Sequence, residues 1–358
     1  MSGSSEAGLY GLKNLNKDLS DPSSWGKNQF NNLFPIALCC YMRDENVSSP
    51  LISASANGFR IIEESVDHIF GTEVCNSGLY FSLESKYLPF ERFVADQLES
   101  IDVVIMENET YIPIRPLEIK LTTLPDDTTK DRPEEDYGSE LVIRDKTTRY
   151  MALSIAESCE DSFDSIQKLF NSECNTIRDW DNIHEVAPKF EGIAGALNSF
   201  IEAYSSNQRP ILLQPIWKTV GQSSVLAPNC IDIFSWTDFA LAKMFLARST
   251  TKISPNKITR PQRAVIRLVR FLWEVSQRRK VYQAPIYDGM TYNTLNDKEL
   301  SISGNITNQY MRGSNRLMRP YFKRDVLSKV ILGGGEKYLS PERRFDAVIY
   351  YTIGSLEN

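Results

Sequence analysis

Asp102 and the tripeptide Glu118-Ile119-Lys120 are the residues of this chain whose types and spacing suit a reaction. Residues two apart on a strand face the same side, so Glu118 and Lys120 project together while Ile119 points into the core. The run Ile101 to Met106 is short and rich in β-branched residues, Glu107 to Thr110 reads as a turn, and Tyr111 to Leu121 continues extended. This pattern predicts a β-hairpin, with Pro113 and Pro116 marking an edge, a bulge or an irregular start to the second strand. The hairpin returns Asp102 to the side of Glu118. Two carboxylates there make a hard oxygen site suited to Mg²⁺. The ammonium beside them can orient or help deprotonate a water and stabilise charge on a phosphate oxygen. Metal-assisted hydrolysis of a phosphodiester fits that set. The competing reading is a cross-strand ion pair without chemistry. Against it stands the apolar setting of Ile112, Ile114, Leu117, Ile119 and Leu121, because charges in a core-like segment need a partner or a metal.

The elements around the hairpin follow from periodicity. A helix is predicted from near Pro89, with Phe90, Val94, Ala95 and Leu98 on one face; it carries Glu91 and feeds into the Asp102 strand. Upstream, Leu33 to Met42 reads as a buried segment, residues 59–70 have helical spacing through Ile61, Ile62, Val66 and Ile69, and Leu79 to Leu83 is a short apolar run. Residues 125–140 read as an acidic loop. Residues 147–170 and 189–205 read as helical, Ile211 to Trp217 as a strand, and Trp236 to Ala247 as a helix. A long helix is predicted from about Pro261, with Val265, Ile266, Leu268, Val269, Leu272 and Trp273 on its apolar face. Arg263, Arg267 and Arg270 run along one side of it, and Arg278, Arg279 and Lys280 close it, where cations suit the helix dipole. A second basic cluster follows at Arg312, Arg316, Arg319, Lys323 and Arg324, and Phe345 to Thr352 reads as a terminal strand. The organisation expected is an α/β core over 1–250, with a polar N-terminal arm, and a basic, largely helical region over 251–358 attached to or intergrown with it.

Composition removes several alternatives. A chain of 358 residues is long enough for one large or two modest domains, and 42% hydrophobic with 24% charged residues is globular rather than disordered. The longest apolar run is far too short for a membrane span, no basic-then-apolar leader is present, and a cytoplasmic location is expected. Only two histidines occur, His68 and His184, which excludes a histidine-rich zinc site, an HExxH protease and an HNH nuclease. The six cysteines include no CxxC pair, so they read as buried or inert thiols. The glycine-rich Gly333 to Tyr338 lacks the GxxxxGK[ST] arrangement of a nucleotide-binding loop. The formal net charge of −6 conceals an asymmetry. Residues 1–250 hold 21 Lys and Arg against 37 Asp and Glu, a balance of −16; residues 251–358 hold 19 against 9, a balance of +10. A basic third suggests a polyanionic partner, most simply nucleic acid, and the alternative is a salt-bridged surface between the two parts.

The order helix, strand with Asp, turn, strand with ExK resembles the PD-(D/E)xK nucleases. The stretch RPLEIKLTTLPD (residues 115–126), supported by LQPIWKT (213–219) and CIDIFSWTDFAL (230–241), resembles more narrowly the HindVP-type type II restriction endonucleases, over most of the chain. The resemblance implies a restriction-endonuclease-like mixed β-sheet core flanked by helices. It implies Asp102 and Glu118 as the metal-binding carboxylates, Lys120 as the catalytic lysine and Glu91 as a supporting acidic residue, with Glu84 and Glu99 competing for that last position. Ile101 stands where the strict pattern has proline. Gln214 and Lys218 are further residues within reach. The activity implied is Mg²⁺-dependent cleavage of double-stranded DNA at a short, near-palindromic site, with GRCGYC expected, leaving 5′-phosphate ends. A homodimer matches such a site, and a cognate DNA methyltransferase is implied as partner. The arginines at 263, 267, 270, 278, 279, 312, 316 and 319, with Lys280, are the candidate DNA contacts. The alternatives are a repair or recombination nuclease of the same fold and a non-catalytic DNA-binding protein.

Overall fold

The computed structural model describes residues 35–303, except 37, 41, 74–78, 121, 126–139, 220–225, 251–255 and 294–297. Among the described residues, eight strands form one mixed sheet. They are β1 (Ser49–Ser55), β2 (Gly58–Glu64), β3 (Leu79–Ser85), β4 (Ile101–Glu107), β5 (Pro113–Ile119), β6 (Thr122–Pro125), β8 (Pro210–Thr219) and β9 (Leu226–Thr237). Seven lie side by side in the order β2-β1-β9-β8-β5-β4-β3, and β6 continues the line of β5 along β8. The pairs β5/β8 and β1/β9 are parallel, while β4/β5, β3/β4, β8/β9 and β1/β2 are antiparallel. A separate antiparallel pair joins β7 (Glu140–Arg144) to β10 (Lys298–Ser303).

Helices among the described residues include α1 (Val66–Phe70), α2 (Asp145–Ser158), α3 (Phe163–Cys174), α4 (Phe190–Tyr204), α5 (Asp238–Arg248), α6 (Arg260–Arg278) and α7 (Gln283–Asp288). Helix α6 starts at a capping box: the Thr259 hydroxyl accepts from the Gln262 N–H, and the Gln262 side chain accepts from the Thr259 N–H. It ends at Arg279 in the left-handed region, whose N–H donates to the Val275 carbonyl at 2.7 Å. Of the expected apolar face, Val265, Ile266, Leu268, Val269 and Leu272 are buried and Trp273 is partly buried, and α6 packs against α2, α3, α4 and α5. One core therefore combines Val265, Leu268 and Leu272 with Leu153, Ile166, Leu197 and Phe245. The core draws on residues before and after position 250.

The hairpin is present as expected, and so are the strand at 210–219 and helices within 145–174 and 190–204. Three segments differ. Residues 59–70 are not one helix: β2 pairs with β1 through Glu64, and α1 begins after Ser65, whose hydroxyl accepts the His68 N–H at 3.1 Å. The segment from Pro89 forms a 3₁₀ turn over Leu88–Phe93 and turns extended at Val94, where it bridges Val281. The Ala95 N–H donates to the Val281 carbonyl at 2.8 Å and the Val281 N–H to the Phe93 carbonyl at 3.0 Å, a pairing with distant chain that holds this segment out of a helix. The helix expected at 236–247 begins two residues later, because β9 runs through Thr237 and that threonine caps α5. Of the cysteines, Cys39, Cys40, Cys159 and Cys174 are described, all free, and Cys40 alone among them is not fully buried.

Candidate active site

Asp102 is the second residue of β4 and Glu118 the sixth of β5. The register sets Val103 opposite Leu117, which brings Asp102 and Glu118 side by side across the two strands. The Ile119 N–H donates to Asp102 Oδ2 at 2.8 Å and fixes that carboxylate against β5. Glu118 is buried, and its Oε1 accepts from both Lys120 Nζ and Thr147 Oγ1, the latter at 3.1 Å. Lys120 stands in the gap between β5 and β6, and its N–H donates to the Leu213 carbonyl at 2.9 Å. The neighbouring strand β8 thus secures the backbone on which the lysine sits.

Burial pushes the Asp102 carboxyl up to about 7, and the Glu118 charge pushes the same way; Lys120 and the Ile119 N–H oppose them, and Glu84 adds a further upward push. A buried carboxyl held protonated by a second carboxylate beside it is in the electrostatic setting that a bound cation relieves. Among the described residues no group of three or more His, Cys, Asp or Glu is assembled around a metal position. A pair is nevertheless the donor set that suits Mg²⁺, which takes one or two carboxylates and completes its shell with water and substrate phosphate.

The three acidic candidates for the supporting position are placed apart. Glu91 is exposed on the 3₁₀ turn. Glu99 pairs with Arg149 at 2.8 Å. Glu84, at the end of β3 in the left-handed region with φ 47°, is the one whose charge acts on Asp102. Gln214 is fully buried and accepts the Trp236 indole N–H at 2.8 Å, which ties β8 to β9. The side chain of Lys218 lies outside the described residues.

Sequence reasoning missed the start of α2. There Thr147 reaches Glu118, and the Tyr150 hydroxyl donates to the Ser100 carbonyl, two residues before Asp102. Only their place on the helix that follows the ExK strand could have signalled them.

The basic residues divide. Arg263 and Arg267 are buried, and both bond to Glu299 on β10, Arg263 Nε at 3.1 Å. These two guanidiniums face inward, onto the buried Glu299. Arg270 is largely buried and pairs with Glu274 at 2.7 Å. Arg278, Arg279 and Lys280 stand exposed at the end of α6, with Arg279 bonded to Asp164 at 3.0 Å. Arg312, Arg316 and Arg319 lie outside the described residues.

A mixed sheet flanked by helices, with an acidic pair and a lysine on one internal hairpin, has the architecture of the restriction-endonuclease-like class. The sequence model of the family described as HindVP restriction endonuclease matches residues 25–355. The chain is 38% identical over 352 residues to the type II restriction enzyme HgiDI of Herpetosiphon aurantiacus, covering 98% of each chain. It is 36% identical over 342 residues to the probable type II restriction enzyme HindVP of Haemophilus influenzae, covering 96% of this chain and 92% of that one. No solved structure matches it. The chain belongs to the HindVP restriction endonuclease family and is a nuclease.

Proposed function

We propose that the chain hydrolyses double-stranded DNA at a short palindromic site, with Mg²⁺ held by Asp102 and Glu118 and with Lys120 as the catalytic lysine. The observation that carries this reading is the juxtaposition of Asp102 and Glu118 across β4 and β5 with the Lys120 ammonium on Glu118. The names of the relatives, both type II restriction enzymes, support the same activity. Bound there, the cation would supply Lewis-acid stabilisation of charge on the scissile phosphate and lower the pKa of a water. The protein's own part is to hold two carboxylates at fixed separation, to place Lys120 beside them and to bring DNA to that end of the hairpin. Arg278, Arg279 and Lys280 supply exposed positive charge for phosphate contacts; the arginines at 312, 316 and 319 are proposed to add to it. A two-fold symmetric site is met by a homodimer, and an enzyme that cuts one requires a methyltransferase to protect the host's own copies.

Plasmid DNA incubated with Mg²⁺ or with EDTA tests the reading. Discrete fragments with Mg²⁺ alone are expected, with 5′-phosphate ends that sequence to a single short site; GRCGYC is the site the family resemblance implies. Lys120→Ala and Glu118→Gln are each expected to slow cleavage by on the order of 10²-fold or more. Random degradation would point to a repair-type nuclease. Binding without cleavage, unaltered by Lys120→Ala, would sink the catalytic reading.

A further inference from the structure

The first turns of α2 touch β5 of the acidic hairpin and the lead-in to its β4. Thr147 donates to Glu118 Oε1 at 3.1 Å, Arg149 Nη1 to Glu99 Oε1 at 2.8 Å, and the Tyr150 hydroxyl to the Ser100 carbonyl. Glu99 and Ser100 lead directly into β4, so a single helix end braces the approach to Asp102 and the side chain of Glu118 together. The neighbour of Thr147 shows the ordinary alternative. The Thr148 hydroxyl bonds back to the Arg144 carbonyl four residues earlier, at 3.1 Å, as a helical threonine commonly does. Thr147 instead reaches 29 residues back in sequence, in a buried setting, to a carboxylate. On that carboxylate Lys120 and Thr147 both donate to Oε1, which among the described residues leaves Oε2 as the oxygen open to a cation.

We propose that Thr147 is a positioning residue for the metal pair: its hydroxyl fixes the rotation of the Glu118 carboxylate so that Oε2 faces the cation. This rests on the reading of Asp102 and Glu118 as the metal carboxylates. A hydrogen bond that orients a ligating side chain is worth about 10–100-fold in metal affinity. Lys120 cannot replace it, because a flexible lysine follows the carboxylate, whereas Thr147 is anchored in a helix.

The test is Mn²⁺ binding to the intact protein without DNA, read from the loss of the free-ion electron paramagnetic resonance signal. The variants are Thr147→Val, which keeps the shape and removes the hydroxyl, and Thr147→Ser, which restores the hydroxyl without the methyl. Thr147→Val is expected to weaken Mn²⁺ binding about tenfold, and Thr147→Ser to stay within about twofold of the wild type. Wild-type affinity in Thr147→Val overturns the proposal. Equal losses in Val and Ser also overturn it, because they assign the effect to packing. Should Thr147→Val not fold, Thr147→Ala measured against Thr147→Ser decides by the same criteria. Glu118→Gln is the control: if it binds Mn²⁺ as tightly as the wild type, the metal-pair reading itself fails and takes the positioning proposal with it.

Discussion

At the scale of residues, the central fact is that Asp102 holds its proton up to about 7, whereas a free aspartate loses it near pH 4. Burial is the main cause and the adjacent Glu118 the second. The proton competes with a cation, so Mg²⁺ binding and cleavage are expected to strengthen as pH rises from about 6 to 8. Folding without metal has the opposite sign. Between the two pKa values the folded protein binds a proton that the unfolded chain has released, so this group's contribution is complete at acid pH and lost as pH climbs through about 7. Melting temperatures in EDTA should therefore fall from pH 5.5 to pH 8 more steeply for the wild type than for Asp102→Asn, and Mg²⁺ should reverse the difference. Parallel pH profiles for the two proteins would show that Asp102 is ionised throughout. Asp102, Glu118 and Lys120 were legible in the sequence because a hairpin brings them together through local register. Thr147 was not, because its meeting with Glu118 depends on where α2 packs, and no spacing encodes that.

At the scale of elements, α6 shows what periodicity can and cannot reveal. Its apolar face and its capping residues are written in its own sequence, and the helix runs where that sequence places it. The direction of its arginines is not, because a row of cations at helical spacing reads the same facing solvent or facing a buried carboxylate. Arg263 and Arg267 face Glu299, which is fully buried and more than thirty positions further along the chain. Burial pushes Arg267 and Glu299 toward their neutral forms, and their mutual attraction opposes it. Removing the carboxylate leaves two guanidiniums without their counter-ion, so Glu299→Ala should destabilise the protein by roughly 3–5 kcal/mol in urea unfolding. A change below about 1 kcal/mol would mean that water already reaches these charges. The same blindness explains the segment after Pro89. Its apolar spacing suits a helix, yet backbone pairing with Val281 holds it out of one.

At the scale of the molecule, the near-neutral total charge remains a sum of unlike parts, but the basic part does not act as one. Two of the arginines in 251–303 bond to an internal glutamate, and the exposed cations described there are Lys257 and Arg260 together with Arg278, Arg279 and Lys280 at the end of α6. The triple substitution of the last three by alanine should lower the slope of log binding constant against log salt by roughly two to three, because each phosphate contact contributes about 0.9. An unchanged slope would assign DNA contact to other surfaces. Their loss should leave the melting temperature nearly unaltered, in contrast to Glu299→Ala. The core has a wider consequence. Helix α6 packs among α2, α3, α4 and α5, so residues on both sides of position 250 enclose the same interior. Such a protein cannot trade its basic helix as a cassette with a distant relative, since the exchanged helix would arrive without the partners that seat it. New sequence preferences in this lineage must arise by substitution in place, and a designer seeking one would mutate an intact scaffold, not recombine halves.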